Sequence, residues 1–143
     1  MPVSTTLDHV TIVTDDFEAS RPVYDAVLAA LGMTVSVDYI DPEGDDEDTG
    51  TVAAIGYGLP GMAPLLWLVA GLSRTSGAHL AVAVTDRSAV LAAHQAALAA
   101  GARVVQPPRD WEQARLGYFG AQFADPAGNL IEVLFRAVPD SAG

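Results

Sequence analysis

An internal repeat sets the architecture of this chain. Sliding the sequence by seventy positions lays Leu7-Asp8-His9-Val10-Thr11-Ile12-Val13 over Gly77-Ala78-His79-Leu80-Ala81-Val82-Ala83, and both runs alternate with a period of two. At the same offset Asp16 falls on Asp86, and Ala26-Val27-Leu28-Ala29-Ala30 falls on Ala96-Ala97-Leu98-Ala99-Ala100. Each alternating run is therefore a strand, and each is followed by a helix. Ser20 is the expected N-cap of the first helix, because Pro22 is tolerated only in a first turn, with Asp15 and Glu18 as a competing start. The second helix is expected to begin near Asp86 or Ser88 and to stop at Gly101. Strand-like runs follow at Met33 to Ile40, Thr51 to Gly58 and Leu65 to Ala70, then at Arg103 to Gln106, Tyr118 to Ala124 and Leu130 to Arg136. Both halves read β-α-β-β-β. Neither half buries both faces of a sheet alone, so the expected fold is α+β, a single domain over 1–143. Its modules run over about 5–72 and about 76–137, as curved mixed sheets around a cavity with the helices outside.

Composition narrows the partners. Half of the 143 residues are hydrophobic, enough for a core, and seven basic against eighteen acidic residues give a net charge of −11. That charge repels polyphosphate and anionic membranes, so nucleic acid and membrane are excluded as partners and a small molecule is expected. Six of the acids lie between Asp41 and Asp48, without the alternating ligand spacing of a calcium loop, and are read as solvated. Without cysteine there are no disulfides or thiolate metal sites, and the N-terminus lacks the basic and apolar segments of a signal peptide. The expected compartment is the cytoplasm. The apolar run from Leu65 to Leu72 is far short of the ~20 residues that a membrane-crossing helix needs.

Strand parity selects the chemistry. His9 and His79 fall on the face away from the helices and are equivalent by repeat, so a pseudo-twofold brings them to corresponding places. In the last strand Ile131, Val133 and Phe135 share one face, and Glu132 points the other way between Leu130 and Leu134. A carboxylate between leucines is costly unless partnered. Two histidines and a carboxylate form a set that holds a divalent ion such as Fe(II), Mn(II) or Zn(II) with open positions. The structural alternative is that each is hydrogen-bonded in its sheet. His94, aligned with Tyr24, reads as a helix-face histidine. Trp67, Tyr118 and Gln122 are candidate ligand-lining residues. Arg109 and Arg115 lie in a long 107–117 loop, the better candidate for a lid, and could hold a carboxylate-bearing substrate. The other long loop is 41–49.

The duplicated β-α-β-β-β pattern, the paired histidines and above all Tyr118-Phe119-Gly120-Ala121-Gln122-Phe123-Ala124-Asp125-Pro126-Ala127-Gly128-Asn129-Leu130-Ile131-Glu132 resemble the vicinal oxygen chelate superfamily. That superfamily groups glyoxalase I, bleomycin-resistance proteins and extradiol dioxygenases. The resemblance spans Leu7 to Arg136. It implies metal ligands at His9, His79 and Glu132, with a divalent ion (Zn, Ni, Mn or Fe(II)) as cofactor. It also implies Glu132 as one candidate catalytic base, beside a metal-bound hydroxide or a residue of the 107–118 loop. The implied chemistry is of lyase, isomerase or dioxygenase type on a substrate with adjacent oxygens, in a homodimer. The family's fourth ligand place, on the closing strand of the first module, has no match in Leu65 to Ala70. The alternative within the same resemblance is a metal-free protein that sequesters a small molecule.

Overall fold

A computed structural model describes residues 5–41, 52–111 and 117–137. The elements run β1 (Val10–Thr14), α1 (Phe17–Ala30), β2 (Thr34–Asp41), β3 (Val52–Gly58), β4 (Leu66–Ala70), β5 (His79–Val84), α2 (Arg87–Ala99), β6 (Arg103–Asp110), β7 (Tyr118–Ala124) and β8 (Leu130–Arg136). This is the α+β, twice β-α-β-β-β architecture that the repeat predicts. The strands form two four-stranded mixed sheets of the same topology, β1-β4-β3-β2 and β5-β8-β7-β6. In each, the first and last strands of the module pair in parallel and the other neighbours pair antiparallel. The described residues group into two compact units, one holding β1 to β4 and the other α1, α2 and β5 to β8.

Three boundaries differ from expectation. Helix α1 starts at Phe17, so Ser20 is not its N-cap and Pro22 lies inside the helix. Proline there forfeits one backbone bond, and the buried stripe of Val23, Tyr24, Val27 and Leu28 holds the helix in spite of it. Strand β6 continues through Pro107 and Pro108 to Asp110, with register shifts on both sides of Gln106. As an edge strand it can place prolines where no ladder hydrogen bond is required, so 107–110 is strand rather than loop. Strand β1 starts at Val10 rather than Leu7. Its parallel partner β4 has only five residues, and β1 is paired over the same five.

Helix α2 begins where expected. The Asp86 side chain caps it by accepting from the Ala89 amide, and Ala100 and Gly101, the latter at φ +78°, close it. Its buried residues Val90, Ala93 and Ala97 are small and lie at helical spacing. That lets α2 approach a sheet whose β7 offers Phe119, Ala121 and Phe123 on the buried side. The other side of β7 carries Tyr118, Gly120 and Gln122. The acidic residues 42–48 lie outside the described residues.

Candidate functional site

The site is built on the α2-free face of the second sheet. Residues opposite one another on antiparallel strands share a face. Gln122 stands opposite Glu132, Tyr118 opposite Arg136, and Gly120 opposite both Leu134 and Arg109. Strand β5 alternates between exposed His79, Ala81 and Ala83 and half-buried Leu80, Val82 and Val84, the parity read from the sequence. Glu132 is buried. Its Oε1 accepts from His79 Nε2 at 2.7 Å and from Gln122 Nε2 at 3.4 Å, and its Oε2 accepts from the Tyr118 hydroxyl. Three donors thus answer the desolvation of a carboxylate set between leucines.

Tyr118 reaches Glu132 because Gly120 leaves room. A Cβ at Gly120 would lie 3.3 Å from Cε1 of the Tyr118 ring and 3.1 Å from the Val133 carbonyl oxygen. Burial, the hydrogen bond to Glu132 and the charge of Glu132 push the Tyr118 phenol up to about 12, while Arg136 acts in the opposite sense. The folded chain therefore holds this proton longer than the unfolded chain does. The associated stability is complete below pH 10 and is lost as the pH rises to about 12. In a spectrophotometric titration of the phenols, Tyr118→Phe should remove a phase near pH 12. Identical wild-type and variant curves between pH 10 and 12 would contradict the assignment.

The Asp125-Pro126-Ala127-Gly128-Asn129 segment is the turn expected between β7 and β8, with Gly128 at φ +88°. It is also a clasp. Asp125 Oδ1 accepts from the amides of Ala127 and Asn129, each at 2.9 Å. Its Oδ2 accepts from Tyr24 of α1 at 2.6 Å and from Asn129 Nδ2 at 2.8 Å. Asn129, fully buried, accepts from the Ala78 amide at 3.0 Å and donates to the Thr75 carbonyl at 2.7 Å. The residue before His79 and the residue three before Glu132 are thereby bound to each other.

The remaining sequence-predicted residues lie as follows. His9 precedes β1 and is exposed, with Nδ1 2.6 Å from Asp8 Oδ1. With Nδ1–H donating to this carboxylate, Nε2 is the nitrogen available to a ligand. Trp67 pairs with Thr11 as Glu132 pairs with Ala81, so it holds in the first sheet the register place that Glu132 holds in the second. It lies in the closing strand of the first module, where the resemblance implies a fourth ligand and the sequence offers none. Gly56 lies opposite Trp67, and a Cβ there would come 3.3 Å from the indole. The Arg109 guanidinium stacks on Trp111 at 3.8 Å. Arg115 lies outside the described residues. His94 stacks on Phe123 with ring centroids 6.3 Å apart, on the α2 side. A cavity of about 360 Å³ is lined by Ala19, Val23, Arg103, Asp125 and their neighbours, and by none of the sequence-predicted site residues. Sequence reasoning missed Arg136, although its position four after Glu132 on one strand places it on the same face. It also missed the Asn129 clasp.

The donor set tests whether a metal fits. Two donors about 2.1 Å from one ion and at right angles stand about 3 Å apart, so the 2.7 Å His79–Glu132 pair suits two adjoining coordination positions. Among the described residues, no three of His, Cys, Asp and Glu group as a metal centre.

The model of the Glyoxalase/Bleomycin resistance protein/Dioxygenase superfamily matches residues 6–133. No curated protein matches. Among solved structures, a glyoxalase/bleomycin resistance protein from Albidiferax ferrireducens is 25% identical with a TM-score of 0.64, over 91% of this chain and 98% of that one. A glyoxylase/bleomycin resistance protein/dioxygenase domain from Frankia is 16% identical with a TM-score of 0.68, over 96% of each chain. A fosfomycin resistance protein from Listeria monocytogenes, solved with Mn(II) and 1S,2S-dihydroxypropylphosphonic acid, is 15% identical with a TM-score of 0.59, over 92% of this chain and 90% of that one.

Proposed function

Because the chain belongs to the glyoxalase/bleomycin resistance protein/dioxygenase superfamily, we propose that it is a divalent-metal-dependent enzyme acting on a small molecule with adjacent oxygens. His79 and Glu132 would hold the ion, and the resemblance assigns a further ligand role to His9. The observation that carries this reading is the 2.7 Å approach of an exposed imidazole to a buried carboxylate. The fosfomycin resistance relative was solved with Mn(II) and 1S,2S-dihydroxypropylphosphonic acid, a divalent ion together with a small molecule bearing adjacent oxygens. A bound ion would supply Lewis-acid stabilisation of negative charge developing on substrate oxygen. Tyr118 and Gln122 hold Glu132 in one orientation, and Glu132 Oε1 is the proton acceptor closest to the imidazole. Tyr118 offers aromatic surface to a planar substrate.

Thermal melting of metal-stripped protein tests the proposal. Mn, Zn, Ni or Fe(II) should stabilise the wild type by about 2.7 kcal/mol at a hundred times Kd. His79→Ala and Glu132→Gln should abolish the effect, and a wild type indifferent to all four ions would sink the reading. A second reading, metal-free sequestration of a small molecule, is favoured by the three hydrogen bonds that already satisfy Glu132. It expects ligand binding unchanged by chelator.

The reading extends to a cytoplasmic homodimer. Strand β2 is a sheet edge with Val35, Val37 and Tyr39 exposed, a surface suited to cover by a second copy. Light scattering should give twice the 14.8 kDa chain mass, and a monomer at high concentration would refute pairing.

A further inference from the structure

All seven basic residues of this chain are arginines, in a sequence with eighteen acids. Arg21, Arg74 and Arg87 each pair with an aspartate: Asp25, Asp15 and Asp110. Arg109 and Arg136 are set differently. Strand β6 carries Arg109 and β8 carries Arg136, on either side of β7 and on the face that bears Glu132. Each guanidinium lies over an aromatic ring, Arg109 at 3.8 Å from Trp111 and Arg136 at 5.7 Å from Tyr118. Stacking occupies the flat of a guanidinium and leaves its in-plane N–H donors free, while the ring limits the orientations the arm can take. Both side chains are exposed, and among the described residues neither makes an ion pair.

We propose that Arg109 and Arg136 form a cationic pole of the site that binds an oxyanion, carboxylate or phosphonate, on the substrate. Resting on the site reading above, this assigns the substrate class: a small anion whose charged end sits beside Tyr118 and whose remainder extends along β7 and β8 toward His79 and Glu132. The register fits that span. Arg136 lies four residues beyond Glu132 on β8, about 13 Å along the strand before the two side chains shorten the gap. That is the length of a small metabolite plus its contacts. The same pole gives an acidic protein a local attraction for an anion that its net charge would otherwise repel.

Arginine Nε–Hε resonances give the test, with methylphosphonate and acetate as probes, acetamide as the neutral control and ionic strength held with sodium chloride. The signals that vanish in Arg109→Gln and Arg136→Gln should shift saturably with at least one anion and not with acetamide. The tighter of the two probes identifies the oxyanion. Each single substitution should weaken binding by about tenfold, as expected for loss of one charge-assisted contact, and the double variant should not bind. Arg136→Lys, which keeps the charge and loses the fork, should fall between. Arg103→Gln, at the opposite end of β6 from Arg109 and beside the separate cavity lined by Ala19 and Val23, should behave as wild type. Equal affinity in wild type and double variant, or no saturable shift in wild type, overturns the proposal. Its failure is separable from that of the metal reading. The double variant should keep its divalent-ion response, whereas an ion-indifferent protein that still binds methylphosphonate or acetate would lose only its metal.

Discussion

Asp125→Ala is expected to destabilise the protein by about 3–5 kcal/mol and to loosen the candidate site without altering any residue in it. The carboxylate accepts four hydrogen bonds, from Tyr24, Asn129 Nδ2 and the amides of Ala127 and Asn129. Its removal strands buried donors, each costing about 1–3 kcal/mol, partly offset by relaxation of the turn. Asn129, no longer held, would release the Ala78 amide and the Thr75 carbonyl. His79 would then lose the backbone anchor that sets it against Glu132. Loss of such a supporting contact lowers metal affinity by about 10–100-fold in other sites, and if His79 and Glu132 hold an ion as proposed, the same drop is expected for it. Denaturant unfolding and ion titration of the folded protein measure the two effects. Wild-type stability in the variant would show that the clasp is redundant.

Phe123→Ala is the matched contrast. Its ring is fully buried on the α2 side of β7 and stacks near His94. Truncation opens a cavity and should cost about 3–5 kcal/mol, similar to the clasp variant. The site, however, is on the other face of that strand. Ion response and anion binding should therefore persist wherever the variant remains folded. If both variants lose ligand response together at equal stability, the clasp has no special link to the site and general loosening of the sheet explains the loss.

These contrasts mark where the sequence was informative. The parity of β5 and β8 was legible because both strands pair along their length, and it put His79 and Glu132 on one face correctly. His9 was read with the same rule, but it lies before the first paired residue of β1, where the pleat no longer dictates direction. Of the partners of Glu132, Tyr118 and Gln122 read from the sequence only as ligand-lining residues. A phenol crossing a strand depends on the missing side chain at Gly120, and period-two patterning does not register an absence. The early start of α1 was offered by Asp15 and Glu18, but the penalty of Pro22 in isolation favoured Ser20, a later cap than the buried stripe requires. The clasp was recognised as a turn because Pro, Gly and Asn announce one. That Asp125 also reaches Tyr24, 101 positions earlier, is tertiary information.

The parallel pairing of β5 with β8 has a bearing on how the molecule is made. His79 meets Glu132 across 53 positions of sequence, and β5 finds its only ladder neighbour in the last strand of the described fold. A ribosome extends the chain from the N-terminus, so β1 to β4 can complete their sheet while β8 is still being translated. The histidine and the carboxylate meet only after Leu130 to Arg136 has emerged and docked. A nascent chain released short of that strand would possess one finished sheet but neither Glu132 nor Arg136, so ligand binding reports that synthesis has run through β8.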